Sequence, residues 1–355
     1  MKKYFNFLFT VYGILFVLSF SGILLIYGSR SSSQYGFGAA EMAVRQFCFL
    51  LLGFLLMDGM RRIKQSKYIT MSRSLFFAAL VILWGVLLLG VKINGMRGWY
   101  SLYFVYLQPS EIFKFIYILY ISNIYLHTEN KTKAFIHSGV LSALWIGAIL
   151  LQPDYGTALL YCLTFAIISF LAGVKLRILL LLPAAALASL LVFISRKNYG
   201  FERLYGFFSE NADVFGSAWH WKQFQLTIAR GGWIGNRMDG AFWSNNYLPF
   251  AYNDSAFAAL HEMTGFSGAF SILTLYFVLL YLIYRQSSNS RNELIILSCI
   301  GAIMVNLLLH CSVNCAIIPT TGVTMPLVSY GGSSLAGTFM IMGMLLAFCR
   351  TENAE

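Results

Sequence analysis

Ionisable residues interrupt this otherwise apolar sequence at only a few places. Buried charge is costly in lipid, so such residues either pair with one another or line a polar cavity. Glu111 and Lys114 are three residues apart and share one helix face, which favours a structural ion pair. Because the set as a whole lies beside Gly and Pro breaks, it favours a functional cavity. Its members are Arg97, Glu111, Lys114, Asp154, Arg203, Arg230, Asp254 and Glu262.

Asp254 lies in the most unusual stretch of the chain, residues 231–268. This stretch is polar, rich in Gly and Asn, and bounded by segments that are almost wholly apolar. Asp254 is a lone carboxylate just before the chain becomes apolar again, and a carboxylate at such a place is either paired or used. The residues alone leave both interpretations open. If the carboxylate is paired, it caps the next helix.

Proline and glycine mark the points where helices start or the backbone becomes irregular. Gln-Pro-Ser-Glu at 108–111 and Gln-Pro-Asp at 152–154 each place a proline at a helix start, followed by an acid in the first turn. Ordinary helix entry explains either motif on its own. Residues 319–334 bring irregular backbone close to the membrane, where it must line protein or water. Within this segment, Gly331 and Gly332 could bind phosphate through exposed amides.

The composition predicts an integral membrane protein. The 355 residues are 58% hydrophobic and only 11% charged, whereas soluble domains are about one quarter charged. In such a protein the distribution of the +11 net charge matters more than its sum, and we expect no nucleic-acid partner. The six cysteines form no C-x-x-C pair and are interpreted as buried hydrophobes. No metal-ligand set is predicted, because no carboxylate completes His310, Cys311 and Cys315.

Apolar stretches near the roughly 20 residues needed to cross a bilayer predict an all-α polytopic fold of about ten transmembrane helices. A long extracytoplasmic loop, about 195–256, is expected between helices 7 and 8, within a single membrane domain over residues 1–355. Lys and Arg in the short loops place both termini in the cytoplasm. The predicted spans are 5–28, 40–60, 75–91, 109–126, 134–151, 157–173, 178–194, 266–284, 294–312 and 333–349.

Six motifs, in this order along most of the chain, resemble the SEDS family of shape, elongation, division and sporulation proteins, whose members include FtsW, RodA and SpoVE. The motifs are NGMRGW at 94–99, LQPSEIFKF at 107–115, QPDYGTALL at 152–160, GGWIG at 231–235, YLPFAYNDSAFAALHEMTGFSGA at 247–269 and IIPTTGVTMPLVSYGGSSL at 317–335.

The resemblance implies a peptidoglycan glycosyltransferase that polymerises lipid II, a polyprenyl-diphosphate-linked disaccharide-pentapeptide, into glycan strands. It would work at the outer face of the bacterial cytoplasmic (inner) membrane during elongation or division. A class B penicillin-binding protein transpeptidase, within a cell division or elongation complex, is the implied partner. The resemblance also allows for a divalent cation, Mg²⁺ or Mn²⁺, as a cofactor.

By this resemblance Asp254 is the catalytic general base, which would take the proton from the attacking sugar hydroxyl. Arginine and lysine side chains would stabilise the leaving diphosphate, with Glu111 holding Lys114 in place. The implied substrate-binding residues are Arg97, Glu111, Lys114, Asp154, Gln223, Glu262, Ser329, Gly331, Gly332 and Ser333.

The sequence also departs from the family pattern. Phe250 stands where the family has an acid after Leu-Pro, and Gly98 where it has a second arginine. Met263 replaces the second of two acids, and His310 stands where asparagine is usual. We therefore expect a fine arrangement of the substrate site that differs from the family's.

Two other functions remain open. A lipid II flippase or transporter would use the same charges to bind the headgroup, but it should need polarity on both faces. A non-catalytic scaffold for a transpeptidase would not need Asp254. The sequence does not separate a division role from an elongation role.

Overall fold

A computed structural model describes residues 2–29, 38–93, 95–103, 105–179, 219–287 and 292–349. Most of these residues are helical. The helices are α1 (Lys2–Gly28), α2 (Ala39–Arg61), α3 (Gln65–Leu89), α4 (Pro109–Ile112), α5 (Lys114–His127), α6 (Lys131–Leu151), α7 (Tyr155–Leu171), α8 (Leu176–Leu179), α9 (Trp219–Gly231), α10 (Arg237–Gly240), α11 (Phe242–Asn246), α12 (Ala256–Ser287), α13 (Glu293–Asn314) and α14 (Gly332–Phe348).

Six of the described helices, α1, α2, α3, α6, α12 and α13, are long and apolar enough to cross a membrane, and α7 and α14 are shorter apolar helices. Their outer faces carry large apolar side chains such as Leu88 and Phe9, which are 83% and 76% exposed. Such surfaces suit lipid, because lipid leaves no penalty for exposed apolar groups. The polytopic helical fold is confirmed, and nine of the ten predicted spans coincide with helices. The exception, 178–194, lies almost wholly outside the described residues.

The predicted extracytoplasmic loop is only partly described. Residues 195–218, with Arg203, lie outside the described residues. The remainder, 219–256, is not an open loop but folds into α9, α10 and α11. Buried backbone polar groups need partners, and the N–H groups of Ser244 and Asn236 find them on Glu262.

Three short strands were not predicted. They follow α3 as β1 (Val91–Ile93), β2 (Met96–Leu102) and β3 (Val105–Leu107), paired antiparallel in the order β1-β2-β3. Aromatic and branched residues favour strands, and Gly95, with φ of 83°, permits the turn between the first two. Tyr100 attaches the sheet to α3, because its hydroxyl donates to the carbonyl of Ile82 at 2.9 Å.

The described residues pack as two compact units. The first unit is made of residues 2–29, 38–48, 219–279 and 306–331, and the second of 49–93, 95–103, 105–179, 280–287, 292–305 and 332–349. The single membrane domain over residues 1–355 stays a prediction.

Aromatic side chains form the core of the second unit. Trp145 and Tyr117 are fully buried, with ring centroids 5.5 Å apart, and Tyr161 meets Tyr117 edge-on at 4.8 Å. The Tyr117 hydroxyl donates to Ser142 Oγ at 2.8 Å, so its polar end is satisfied inside the core. This cluster joins α5, α6 and α7.

Candidate active site

Asp254 lies in the first unit, in a tight turn that ends where α12 begins. The turn starts at Phe250, whose backbone has a φ of 50°. The Phe250 carbonyl accepts the N–H of Asn253 at 2.8 Å and that of Ser255 at 3.3 Å. The Ser255 hydroxyl donates to the carbonyl of Pro249 at 2.6 Å. These bonds fix the backbone on both sides of Asp254, whose side chain is half-buried.

The loop between α13 and α14 packs against this turn. The Ser329 hydroxyl donates to the carbonyl of Asn253 at 2.7 Å, and the Tyr330 N–H donates to the carbonyl of Tyr252 at 2.8 Å. Ser329 is itself buried. Since both bonds end on backbone carbonyls just before Asp254, they hold the turn and leave the Ser329 hydroxyl occupied. They do not support the prediction that Ser329 binds substrate.

Gln46 of α2 fixes the other side of this loop. Its Oε1 accepts the N–H of Gly331 at 3.2 Å, and its Nε2 donates to the carbonyl of Ser329 at 3.1 Å. The Gly331 amide is therefore already used, which argues against the prediction that it binds phosphate. Gln46 was not predicted. A buried glutamine inside an apolar run is the signal that could have found it.

Helix α12 is interrupted at Gly265, which has a φ of 69° and a ψ of −174°. Gly235, with a φ of 82°, lies directly against it. A Cβ on either glycine would come within 2.5 Å of the backbone nitrogen of the other. Both positions therefore need glycine, for conformation and for space.

Residues 231–236, which we call the clasp, satisfy the backbone at this break. The N–H of Phe266 donates to the carbonyl of Gly232 at 2.9 Å, and that of Ser267 to the carbonyl of Trp233 at 3.1 Å. The first N–H groups of a helix have no partner within it, and in a membrane they must be satisfied by protein or water. The clasp therefore acts as the cap of the second half of α12.

Glu262 joins the clasp and its neighbouring helices to the first half of α12. One carboxylate oxygen accepts the Ser244 N–H at 2.6 Å, and the other pairs with Arg230 Nε at 3.4 Å. Its backbone carbonyl accepts the N–H of Asn236 at 2.9 Å. Glu262 has no exposed surface, so these contacts do not support the prediction that it binds substrate.

Glu111 and Lys114 form the predicted ion pair in the second unit, with Lys114 Nζ 2.8 Å from Glu111 Oε2. Their side chains are only 9% and 11% exposed. The helix breaks between them at Phe113. Because α4 carries the carboxylate and α5 begins at the lysine, the pair spans this break and is confirmed as a buried contact.

Asp154 lies beside this pair, between the helices α6 and α7. One carboxylate oxygen accepts the Thr157 N–H at 3.1 Å, which caps α7, and the other accepts Gln108 Nε2 at 3.0 Å. Burial raises the pKa of Asp154, the hydrogen bonds from Thr157 oppose that rise, and the charges of Glu111 and Lys114 act on it in opposite directions. The second unit thus brings three of the predicted ionisable residues together, with Gln108 as an unpredicted fourth member.

Arg97 is exposed and follows α3. Its guanidinium donates to the carbonyl of Leu87 at 3.0 Å, and its backbone N–H to that of Gln152 at 3.3 Å. The neighbouring Gly98 is buried, and a Cβ there would be 3.4 Å from Gln152 Oε1. A Cβ at this position would thus make ordinary contact with Gln152, next to which the second arginine of the family pattern would lie.

The start of α14 is held by packing and by backbone contacts. The Ser333 hydroxyl accepts the Gln108 N–H at 3.0 Å and donates to the carbonyl of Tyr106 at 3.3 Å. A Cβ on Gly332 would come within 2.7 Å of the Phe49 ring. These two predicted substrate-binding residues thus have structural contacts in the second unit.

Gln223, the remaining predicted residue, lies on α9 in the first unit with Asp254. It is buried, and its carbonyl accepts the Thr227 hydroxyl at 2.7 Å. Its role at a substrate site stays a prediction.

The comparison with known families now decides the relationship. A family model described as cell cycle protein, that of FtsW, RodA and SpoVE, matches residues 2–354. The chain belongs to the FtsW/RodA/SpoVE family.

Curated relatives cover nearly the whole of this family member. A probable peptidoglycan glycosyltransferase FtsW from Coxiella burnetii is 30% identical over 354 residues, covering 96% of this chain and 93% of the relative. Another from Legionella pneumophila is 29% identical, covering 94% and 88%.

Solved structures share the fold of this FtsW/RodA/SpoVE member. A chain from a study of the structural coordination of polymerization and crosslinking by a peptidoglycan synthase complex is 26% identical. It superposes with a TM-score of 0.80, with 97% of each chain covered. The rod shape determining protein RodA of Thermus thermophilus is 24% identical with a TM-score of 0.69, covering 97% of this chain and 95% of its own.

The described residues of this family member offer no resident metal site. Among them, no three His, Cys, Asp or Glu side chains lie close enough together to hold an ion. Mg²⁺ is usually bound by one or two carboxylates together with substrate phosphates. The described residues therefore do not form a protein cage for a cation.

Proposed function

We propose that this protein is a peptidoglycan glycosyltransferase that polymerises lipid II into glycan strands, with Asp254 as the general base. The observation that carries the proposal is the placement of Asp254. Its backbone is fixed on both sides by hydrogen bonds, while the residue stays partly exposed. The curated relatives named peptidoglycan glycosyltransferase, which match nearly the whole chain, supply the reaction class.

The proposed chemistry transfers a glycan from a diphosphate to a sugar hydroxyl. The hydroxyl oxygen of the acceptor forms a bond to the anomeric carbon of the donor, and the bond from that carbon to the diphosphate oxygen breaks. Asp254 accepts the hydroxyl proton, and the diphosphate leaves with the bonding electrons. A fixed carboxylate suits this step, because a base must lie within hydrogen-bond reach of the proton it removes.

The positive groups of the second unit are suited to the anionic part of the substrate. Arg97 is exposed and keeps guanidinium donors beyond the one used on Leu87. Lys114 is held by Glu111, so its position is fixed while one of its three N–H groups is occupied. The family resemblance assigns both cations to the diphosphate, where negative charge develops as the bond breaks. Asp154 completes this polar group through Gln108.

Four of the predicted substrate-binding residues are better assigned to positioning. Ser329 and Gly331 hold the loop behind Asp254, Glu262 holds the clasp, and Ser333 fixes the start of α14. Each of them is hydrogen-bonded to neighbouring residues of its own unit. Substitution of these residues should therefore lower stability and activity together.

We further propose a multi-pass protein of the bacterial inner membrane with both termini in the cytoplasm and the site at the outer face. The partner would be a class B penicillin-binding protein transpeptidase in a cell division or elongation complex. The peptidoglycan synthase complex that contains a similar chain supports such a partner.

Polymerisation of purified lipid II tests the proposed function. The wild-type chain, with its transpeptidase present, should form glycan strands, and Asp254→Asn should form none while binding lipid II as before. Equal product from both would remove Asp254 from its role as base. Absence of product from the wild type, with transfer of labelled lipid II across vesicles, would favour a flippase. Absence of both activities would favour a scaffold.

A further inference from the structure

Two side chains of α13, His310 and Asn314, point at the turn that carries Asp254. They are four residues apart, so they share one helix face, and neither has any exposed surface. Both belong to the first unit, as Asp254 does. Most buried polar side-chain atoms have a hydrogen-bond partner.

Asn314 makes three hydrogen bonds. Its Oδ1 accepts the Ala258 N–H at 3.0 Å, and its Nδ2 donates to the backbone carbonyls of Asp254 and His310, each at 3.0 Å. The Asn314 side chain therefore hydrogen-bonds to the first turn of α12 and to the backbone of Asp254 at the same time. An apolar residue of the same size could do neither.

His310 makes two further hydrogen bonds to backbone. Its Nδ1 lies 2.7 Å from the carbonyl oxygen of Val323, and its Nε2 lies 3.3 Å from the backbone nitrogen of Phe257. A carbonyl only accepts and an amide only donates, so these partners require a neutral ring with its proton on Nδ1. His310 thus ties α12 to the loop between α13 and α14.

These contacts provide the N-terminal cap of α12 from a neighbouring helix. The first N–H groups of a helix have no partner within it, and a Ser or Asp at the helix start usually accepts them. Here His310 and Asn314 accept the N–H groups of Phe257 and Ala258. The carboxylate of Asp254 is therefore not needed to cap these two amides.

We infer that His310 and Asn314 form a positioning clamp that holds the Asp254 carboxylate in place for proton transfer. This inference rests on the function proposed above. The clamp fixes the backbone of Asp254 directly through one hydrogen bond and indirectly through the first turn of α12. Neither residue touches the reacting atoms, so both are positioning residues.

The main test compares Asn314→Leu with Asn306→Leu in lipid II polymerisation. Both changes replace a buried asparagine of α13 by leucine, but of these two residues it is Asn314 that hydrogen-bonds to the Asp254 backbone. A displacement of about 1 Å can cost about 100-fold in rate, so Asn314→Leu should lower kcat by about that factor and leave KM within about twofold. Asn306→Leu should retain most of the wild-type kcat.

A substitution series at His310 tests the clamp even where Asn314→Leu fails to fold. The amide oxygen of His310→Gln can reach the place of Nε2 and accept the Phe257 N–H, whereas His310→Phe fills the space with no acceptor. We expect the glutamine variant to keep most of the wild-type kcat and the phenylalanine variant to lose it. Equal activity of the two would overturn the clamp.

Amide hydrogen exchange over residues 255–260 supplies a readout that does not depend on activity. His310→Phe and Asn314→Leu should speed exchange there, and Asn306→Leu should not. If the wild type is active, Asp254→Asn is inactive and both clamp variants match the wild type in rate and exchange, the clamp is refuted while the proposed function stands. If the wild type makes no glycan but exchange changes as expected, the proposed function fails and the clamp is structural only.

Discussion

At the scale of single residues, hydrogen-bond partners and accessible surface distinguish residues that can react with a substrate from residues that hold the fold. Ser329, Glu262 and Asn314 direct their polar atoms at neighbouring backbone. Arg97 and Asp254 keep accessible surface. A group that must meet a substrate needs such surface or, like the buried Lys114 with one of its three N–H groups on Glu111, further donors.

The Glu111–Lys114 pair gives a prediction at this scale. Lys114→Met should lower the free energy of unfolding by about 3–5 kcal/mol, because it leaves a buried carboxylate without its partner. The double variant Glu111→Gln with Lys114→Met should recover most of that loss. Thermal unfolding in detergent measures both. Equal stability of the single and double variants would show that the pair is not coupled.

The activity of the same variants distinguishes a catalytic effect of the Lys114 charge from an effect on stability. If Lys114 stabilises the leaving diphosphate, the double variant should be stable but slow in lipid II polymerisation. Full activity in a stable double variant would exclude Lys114 from that role.

At the scale of elements, the break in α12 depends on two glycines from distant parts of the chain. Gly265 has backbone angles that only glycine adopts readily, and Gly235 leaves no room for a side chain on either residue. The clasp then supplies carbonyls for the second half-helix. The break at Gly265, the close contact with Gly235 and the clasp are coupled, because each would be strained without the others.

Gly265→Ala should therefore lower the free energy of unfolding by at least about 2 kcal/mol, since strained backbone of this kind costs about 1–3 kcal/mol before any clash is counted. Gly147→Ala is the matched control, because a Cβ at that helical position meets nothing within 4 Å. Alanine there should be neutral or stabilising by up to about 1 kcal/mol. Both are measured by thermal unfolding. A neutral Gly265→Ala would contradict the assigned break.

The sequence predicted this region in part. The apolar run from 266 matches the second half of α12, which starts at Phe266. The first half carries polar residues, so it was assigned to a helix entry rather than to a span. Hydropathy measures composition along the chain, whereas the break depends on hydrogen bonds to residues 231–236. Strands β1 to β3 were missed because a short aromatic run beside a spanning helix has no pattern of its own.

The candidate site was predictable to a similar degree. Asp254, Glu111, Lys114 and Asp154 carry charge in an apolar chain, so their presence was visible. Gln46, Gln108 and Asn314 are neutral, and their partners lie far away in sequence. The sequence therefore indicates which residues could react but not which ones hold them.

At the scale of the whole molecule, the proposed orientation in the membrane determines which face meets substrate. The Lys and Arg residues of the short loops favour cytoplasmic termini. In a chain whose six cysteines are replaced, Lys92→Cys in β1 should react with an impermeant maleimide on intact cells. Glu129→Cys, between α5 and α6, should react only after permeabilisation. Both native positions are exposed, and the reverse pattern would overturn the orientation.

The clasp has a consequence for how the chain is made. Residues 231–236 leave the ribosome before α12 does, so the carbonyls that meet the Phe266 and Ser267 amides exist before those amides reach the translocon. The second half of α12 can then enter lipid with its first turn already satisfied. In a circularly permuted chain, residues 231–236 could be placed after α12. The half-helix would then have to insert before partners for its first N–H groups had been made. We therefore expect the permuted chain to insert this half-helix less efficiently than a chain made in the native order.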